Sequence, residues 1–345
     1  MKYRRLGHSG LEVSVVGLGT NTFGDEIISG GRMDYNQSER VLRQAIDEGI
    51  NFIDTANTYG RRDQRDHHRV GEEFLGRMLK GNRDKVLLST KVANNRGDGP
   101  NQYGCSRKHI MEQIELSLKK LQTDYLDLYQ LHYPDPFTPI EETMHTLDNL
   151  ITQGKVRYIG CSNFAAWQVA DAMGAARILH STPFVSVESE YNMLKRGIEK
   201  ELLPCCRKYR LGILPYFPLA SGFLTGKYRR GREVPRDTRL GAMPWRAETL
   251  LTGGNYDVLE KLEDFAQTRG HTITELAFAW LLAHPEVSSV IAGATSPEQV
   301  KANARAKDWE LTSAEMEELE GILSVLASTW DKPTQHLGSP SWART

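Results

Sequence analysis

Short runs rich in β-branched residues and leucine recur along the chain: Val13 to Leu18, Asn51 to Asp54, Val86 to Thr90, Tyr125 to Leu131, Val156 to Gly160, Phe184 to Val187, Gly212 to Tyr216 and Ser288 to Ala292. Each is short enough to be a buried strand, and most are followed by a stretch with apolar residues at helical spacing. Gln37 to Glu48, Arg107 to Leu121, Ile140 to Gln153 and Glu199 to Tyr209 are the clearest of these helices. Alternation of this kind predicts an α/β fold, a (β/α)8 TIM barrel whose parallel strands are linked by helices. A doubly wound sheet that binds a dinucleotide would usually carry a G-x-G-x-x-G turn after its first strand, and none follows Leu18. Arg4 to Gly7 and Leu11 to Val13 flank a His-Ser-Gly turn and predict an N-terminal β-hairpin that caps one end of the barrel.

Three connections are too long for simple turns: Thr20 to Asn36, Ala93 to Ser106 and Pro218 to Asn255. They are expected as long loops at the C-terminal face, where loops of this length are commonly functional. No linker interrupts the pattern, so residues 1–345 are expected to form one barrel domain, with 327–345 as a lid or frayed tail.

Composition narrows the partners. With 43 Lys plus Arg against 44 Asp plus Glu, the net charge is −1 and gives no broad attraction for nucleic acid or anionic membrane. A small molecule is the expected partner, and no stripe in the sequence marks an oligomer interface. The 4 cysteines (Cys105, Cys161, Cys205, Cys206) form no C-x-x-C pair, which argues against a zinc site or a disulfide framework. Without a signal-peptide pattern or an apolar run of roughly 20 residues, a cytoplasmic location is expected.

The candidate chemistry lies at the ends of the predicted strands, where a barrel of this kind places its active site. Successive strands end on or near Asp54, Lys91, His132, Ser162 with Asn163, Glu188 and Tyr216, and Tyr59 follows Asp54 by five residues. A carboxylate and an ammonium brought close shift each other's pKa, and an ammonium beside a phenol makes the phenol a better acid. Each residue also has a plainer reading. Asp54 and Lys91 form a structural ion pair, His132 a satisfied loop histidine, and Tyr59 and Tyr216 packing groups. The constellation favours one shared site, since independent coincidences at several strand ends are rarer.

Ordered blocks of the chain resemble one family. GLGTNTFG at 17–24, GINFIDTANTYG at 49–60, STKV at 89–92, TDYLDLYQLH at 123–132, GKVRYIGCSNF at 154–164, ESEYNML at 188–194, PYFPLASGFLTGKY at 215–228 and VIAGATSPEQVKAN at 290–303 are similar to aldo-keto reductases, especially the bacterial and channel-subunit-like branches. The resemblance implies a metal-free barrel enzyme that binds NAD(P)H and reduces carbonyl compounds. It implies Tyr59 as general acid, Lys91 as the residue that lowers its pKa, Asp54 as the partner of Lys91, and His132 as the group orienting the substrate carbonyl. It also implies Ser162 and Asn163 as contacts to the nicotinamide amide, with Tyr216 stacked on the ring. Pro218, Leu219, Ser221, Gly222, Leu224 and Lys227 fall in the pyrophosphate loop. Gly293, Thr295, Gln299 and Asn303 match the adenosine-phosphate end, and Thr20 completes the set.

Two departures matter. Glu188 stands where the family commonly has Gln paired with the nicotinamide carboxamide. An ionised Glu accepts but cannot donate, and would favour the oxidised ring, whereas a Glu that is protonated or turned toward Lys or Arg would not. Gly293 and Gln299 replace basic residues that often grip a 2′-phosphate. Arg229, Arg230, Arg232, Arg236 and Arg239 could supply that charge instead, so NADP is favoured, with NAD as the alternative. The leading function is reversible reduction of small aldehydes or ketones, including sugar-derived or three-carbon ones. A cofactor-binding regulatory subunit is the second reading, and a Schiff-base lyase using a neutral Lys91 the third. Trp167, Trp245 and Trp330 are candidates to line an apolar substrate pocket.

Overall fold

The computed structural model describes residues 1–25, 33–61, 69–94 and 100–326. The expected tail at 327–345, with Trp330, and parts of the two loops after the first and third barrel strands lie outside the described residues. An antiparallel hairpin, β1 (Tyr3–Arg5) and β2 (Glu12–Ser14), precedes eight barrel strands. These are β3 (Val16–Gly19), β4 (Phe52–Asp54), β5 (Leu87–Val92), β6 (Leu126–Leu131), β7 (Val156–Ser162), β8 (Ser186–Glu190), β9 (Gly212–Tyr216) and β10 (Val290–Gly293). They pair in parallel in chain order, and β10 closes the barrel with Val290 opposite Val16 on one side and Ile291 opposite Tyr216 on the other.

Helices cover the outside: α1 (Tyr35–Asp47), α2 (Gly71–Met78), α3 (Arg107–Leu121), α4 (Ile140–Thr152), α5 (Ala166–Ile178) and α6 (Leu202–Tyr209). They continue with α7 (Arg239–Ala242), α8 (Pro244–Leu250), α9 (Gly253–Gln267), α10 (Ile273–Leu282), α11 (Pro297–Arg305) and α12 (Ser313–Leu323). The sequence expectation is met for the barrel and its hairpin, with three local differences. Val13 belongs to the hairpin, and the first barrel strand starts at Val16. The helix expected from Glu199 begins at Leu202, after a 3-10 turn over Gly197–Glu199. The connection after β9 carries α7 and α8 because Thr238 caps the first by accepting from Gly241 N, and Pro244 opens the second.

Residues two apart on a strand face the same way. On β4, Phe52 shares a face with Asp54. Leu128 and Gln130 do the same on β6, and Leu214 and Tyr216 on β9. The first of each pair packs with Leu6, Val13, Val185 and Ile291 in an apolar plug at the N-terminal end of the barrel. The second lies one layer higher, so the interior turns from apolar to polar toward the C-terminal end. The hairpin supplies Leu6 and Val13 to the plug, and Arg4 ties it down by donating to the carbonyls of Leu282 and Val287.

Gly7 makes the hairpin turn sit flat against the barrel floor. Its φ is +58°, and a Cβ there would lie 2.3 Å from the Val185 carbonyl oxygen and 2.7 Å from Gly212 N. Gly7→Ala is therefore expected to destabilise the protein by more than about 1 kcal/mol, beyond the usual penalty of a left-handed alanine. Gly10→Ala, with nothing within 4 Å of the added carbon, should stay within about 0.5 kcal/mol. Urea unfolding of the two variants reads the difference.

Candidate active site

Lys91, fully buried, lies at the centre of the polar layer. Its ammonium is 2.5 Å from Asp54 Oδ2 and 3.2 Å from Glu188 Oε2, and donates to the Thr55 carbonyl at 3.1 Å. Those three acceptors use the three N–H bonds of an ammonium. Ser89 Oγ donates to Asp54 Oδ1 at 3.0 Å, and Gln130 Nε2 donates to Glu188 Oε2 at 2.8 Å. Strands β4, β5, β6 and β8 thus each contribute one or two side chains to a single buried cluster.

Burial disfavours the charge on Lys91, but Asp54 and Glu188 outweigh it and raise its pKa. An amine held charged and triply engaged has no free lone pair, which counts against the Schiff-base reading. Burial also drives Asp54 upward, against the pull of Lys91. Glu188 is pushed up to about 7 by burial first and the neighbouring Asp54 second, with Lys91 and Gln130 acting the other way. Of the alternatives open for Glu188, the side chain takes the turn toward lysine.

Tyr59 reaches this cluster from the loop after β4, held by a turn in which its N–H donates to Ala56 O and its carbonyl accepts from Gly71 N. Lys91 Nζ lies 5.3 Å from the Tyr59 ring centroid. Lys91 does favour the phenolate, as expected. Burial is the larger effect, however, so the Tyr59 pKa lies above its ordinary value rather than below it. The His132 ring is 6.1 Å from the Tyr59 ring, nearly edge-on at 78°, and stacks on Tyr133 at 4.8 Å. Burial, reinforced by Lys91, holds His132 well below the usual histidine pKa, so the imidazole is neutral. Asn94 Nδ2 lies 2.7 Å from His132 Nδ1. With the amide N–H directed at Nδ1, the ring proton is on Nε2, which leaves that nitrogen as a donor.

The remaining predicted residues fall in two groups. Tyr216 OH donates to Asn163 Oδ1 at 2.7 Å, Asn163 Nδ2 donates to Ser162 Oγ and to His132 O, both at 3.0 Å, and Thr20 Oγ1 donates to Asp54 O at 3.0 Å. These adjoin the Lys91 cluster. Pro218, Leu219, Ser221, Gly222 and Leu224 lie in a tight turn in which Ser221 (φ +59°) and Gly222 (φ +89°) are left-handed. Lys227 is exposed, beside the Tyr228 ring. The second group surrounds the start of α11. Gly293 ends β10, Thr295 N donates to Gln299 Oε1 at 2.8 Å, Ser296 caps the helix by accepting from Gln299 N, and Asn303 is buried one turn on.

The arginine run divides. Arg229 pairs with Glu263, and Arg230 with Asp257 and Glu260, all on α9. Arg239 instead donates to Asn21 Oδ1 at 3.3 Å and lies within 4 Å of a Cβ built on Gly293. Among the described residues no carboxylate is within ion-pairing distance of it, and burial, with Arg246 next, lowers its pKa to about 10. A guanidinium bonded among the described residues only to a neutral amide side chain, near the strand end that leads into α11, has donors suited to a phosphate. Trp167 and Trp245, expected at an apolar pocket, are 68% and 46% exposed.

Four contributors were not anticipated from the sequence: Ser89, which donates to Asp54, together with Gln130, Asn94 and Arg246. Gln130 lies two residues before His132 on the same strand, so strand periodicity could have found it. Asn94 lies in an irregular loop. Arg246 donates to Ser221 Oγ and Glu190 Oε1, both at 2.5 Å, from a helix in a segment read as a loop. No helix among the described residues is long and apolar enough to cross a membrane.

Comparison with known proteins places this arrangement. Residues 15–324 match the model of the Aldo/keto reductase family. A protein named "Probable voltage-gated potassium channel subunit beta" from Arabidopsis thaliana is 39% identical over 319 residues, spanning 89% of this chain and 92% of its own. Aldo-keto reductase YhdN from Bacillus subtilis is 34% identical over 330 residues, spanning 94% of each chain. An uncharacterized oxidoreductase, YrpG, of the same bacterium is 35% identical over 318 residues, 90% of this chain and 92% of its own.

Removing the ammonium tests how the cluster is held. Lys91→Met leaves two buried carboxyl groups without their cation and should cost about 3–5 kcal/mol of stability near neutral pH, as broken buried ion pairs do. Urea unfolding measures it, and a loss below about 1 kcal/mol would mean that the carboxyl groups are not held as Lys91's counter-ions.

Proposed function

Because the chain belongs to the aldo/keto reductase family, we propose that it is an oxidoreductase that interconverts small aldehydes or ketones and their alcohols with NADP. The observation that carries this reading is the meeting of a charged, buried Lys91, a protonated Tyr59 and a neutral His132 at one barrel end. A bound nicotinamide supplies the hydride. In reduction that hydride would go to the carbonyl carbon, and the Tyr59 hydroxyl would give its proton to the carbonyl oxygen. Charge building on the oxygen is met by two neutral donors, Tyr59 O–H and His132 Nε2–H, which bind it more strongly in the transition state than in the substrate. The raised pKa of Tyr59 in the unliganded chain keeps the proton in place until needed. Lys91 lies close enough to stabilise the phenolate left behind, and Asp54 holds Lys91. In alcohol oxidation the same groups work in reverse.

The cofactor assignment follows the geometry of the two groups. Ser162 and Asn163, linked to each other and to Tyr216 by hydrogen bonds, would be the polar contacts of the nicotinamide amide, with the Tyr216 ring, fixed by Asn163, stacking on the nicotinamide. The left-handed turn at Ser221 and Gly222 lets backbone approach a pyrophosphate, with Pro218, Leu219, Leu224 and Lys227 completing that loop. Gly293, Thr295, Gln299 and Asn303 would hold the adenosine end, and Thr20, whose hydroxyl donates to Asp54 O, would complete the nicotinamide end. Arg239 is the reason to prefer NADP over NAD, because it supplies the positive charge that Gly293 and Gln299 do not. A cytoplasmic location fits four cysteines that are all free.

A second reading is a regulatory subunit that binds NADPH with little turnover. The relative from Arabidopsis thaliana, whose name describes a channel subunit, favours it. The presence of His132 beside Tyr59 and Lys91 favours the enzyme.

Loss of NADPH and, separately, NADH absorbance with glyceraldehyde, methylglyoxal and nitrobenzaldehyde decides between them. Turnover that falls about 10²–10⁴-fold in Tyr59→Phe supports the reductase. Tight NADPH binding without turnover of any aldehyde supports the subunit. Arg239→Leu should weaken NADPH binding about 10- to 100-fold in a fluorescence titration, the value of a charge-assisted contact, while NADH binding changes less. Asn94→Leu should lower kcat/KM about 2- to 10-fold by releasing the His132 tautomer, with NADPH affinity unchanged.

A further inference from the structure

Lys91 is one cation facing two carboxyl groups. Asp54 Oδ2 is 2.5 Å away and Glu188 Oε2 3.2 Å, both oxygens are buried, and no second cation among the described residues lies within ion-pairing distance of either. If both carboxyls ionise, the cluster has a net negative charge on buried side chains, which is costly. If one retains a proton, the cluster is neutral. Asp54 has the closer ammonium and a hydroxyl donor, Ser89 at 3.0 Å. Glu188 has the more distant ammonium and the neutral Gln130 amide. The weaker set of partners belongs to Glu188, so the proton resides there.

We propose that Glu188 is a positioning residue acting through Lys91: as an acid it leaves the charge of Lys91 free to act on Tyr59, and as a carboxylate it cancels part of that charge and makes Tyr59 a poorer proton donor. This rests on the reductase reading of the site. It differs from a nicotinamide contact, because the effect passes through the lysine and needs no change in cofactor affinity. A glutamine at this position would accept and donate without ever carrying charge.

The charged and titratable groups around Glu188 leave a clear window. Asp54 on β4 is also raised by burial, but the closer ammonium of Lys91 on β5 and the Ser89 hydroxyl hold it as the ionised member of the two carboxyl groups. Tyr59 and Tyr133, from the loops after β4 and β6, and Tyr216 on β9 all have pKa values raised by burial. His132, after β6, is held neutral well below its ordinary range. Glu188, at about 7, is therefore the group in this cluster whose charge changes near neutrality. Reduction should be faster below that point and slower above it.

The test compares wild type with Glu188→Gln across pH 5.5 to 8.5, a window chosen at about 1.5 units on either side of neutrality. Wild-type kcat/KM for aldehyde reduction should fall about 3- to 10-fold through neutral pH, and the variant's profile should lose that break. Two readouts do not depend on turnover. Infrared difference spectra of the ligand-free protein should show a protonated-carboxyl band that disappears through neutral pH and is missing from the variant. Native Glu188 holds its proton up to about 7, against 4.5 ordinarily, so the wild type binds more protons folded than unfolded within that interval. Its thermal midpoint should therefore fall relative to Glu188→Gln as pH rises from about 4.5 to about 7. A carboxyl band that persists in the variant, or a break in kcat/KM unchanged by the substitution, overturns the proposal. Wild-type protein that turns over no aldehyde at any pH, yet titrates the band at Glu188, refutes the reductase reading and leaves the shared proton standing.

Discussion

The site depends on a single buried ammonium. Lys91 is enclosed by the barrel wall, where an isolated charge would cost several kcal/mol, and it is tolerated because Asp54, Glu188 and the Thr55 carbonyl take its three N–H bonds. That requirement fixes the identity of residues on neighbouring strands. Ser89 and Gln130 are not reactive groups in any reading of the site, yet they donate to the carboxylates that hold the lysine. Once Lys91 is satisfied by Asp54, the same burial keeps the aromatic titratable groups beside the pair neutral. Tyr59 keeps its proton and His132 loses its own. An ammonium paired with a carboxylate and flanked by neutral donors is an electrostatic arrangement suited to receiving negative charge on a substrate oxygen.

The barrel provides the conditions for that burial by dividing its interior. Period-two alternation places Phe52, Leu128 and Leu214 in the plug with Leu6 and Val13, and puts Asp54, Gln130 and Tyr216 one layer above. The hairpin closes the apolar end, so the polar layer has a dry floor and opens only through the loops at the other end. Gly7 is part of this division although it is far from the chemistry, since its close approach to Val185 and Gly212 is what seats the plug.

Much of this was legible in the residues. Strand positions follow from local apolar runs, and the helix predicted at Arg107 to Leu121 has those bounds because Ser106 caps it and accepts from His109 N, both local features. Asp54, Lys91 and His132 could be grouped because a barrel aligns the ends of its strands. What depended on distances across the barrel was less accessible. Whether Glu188 faces a cofactor or a lysine turns on the register of β8 relative to β5, strands that are not neighbours. The acidity of Tyr59 turns on how much water its loop excludes, and in the unliganded chain that effect exceeds the pull of Lys91. The arginine run shows the same limit. Arg229 and Arg230 found acidic partners on α9, a helix whose carboxylates are distant in spacing from the motif, while Arg239 found none within pairing distance among the described residues.

The two readings of function share nearly all of this machinery, which is why binding alone does not separate them. A left-handed phosphate turn and an unpaired Arg239 serve a tightly held dinucleotide whether or not it reacts. The tautomer of His132 has no such double use. Asn94 directs an N–H at Nδ1 and so commits the proton of the imidazole to Nε2, and burial prevents the ring from taking a second proton. A histidine required only for packing could take either tautomer at little cost. One held neutral, in a single tautomer, next to a protonated phenol is arranged to donate to an oxygen, and that expenditure of structure is better explained by turnover than by storage of a cofactor.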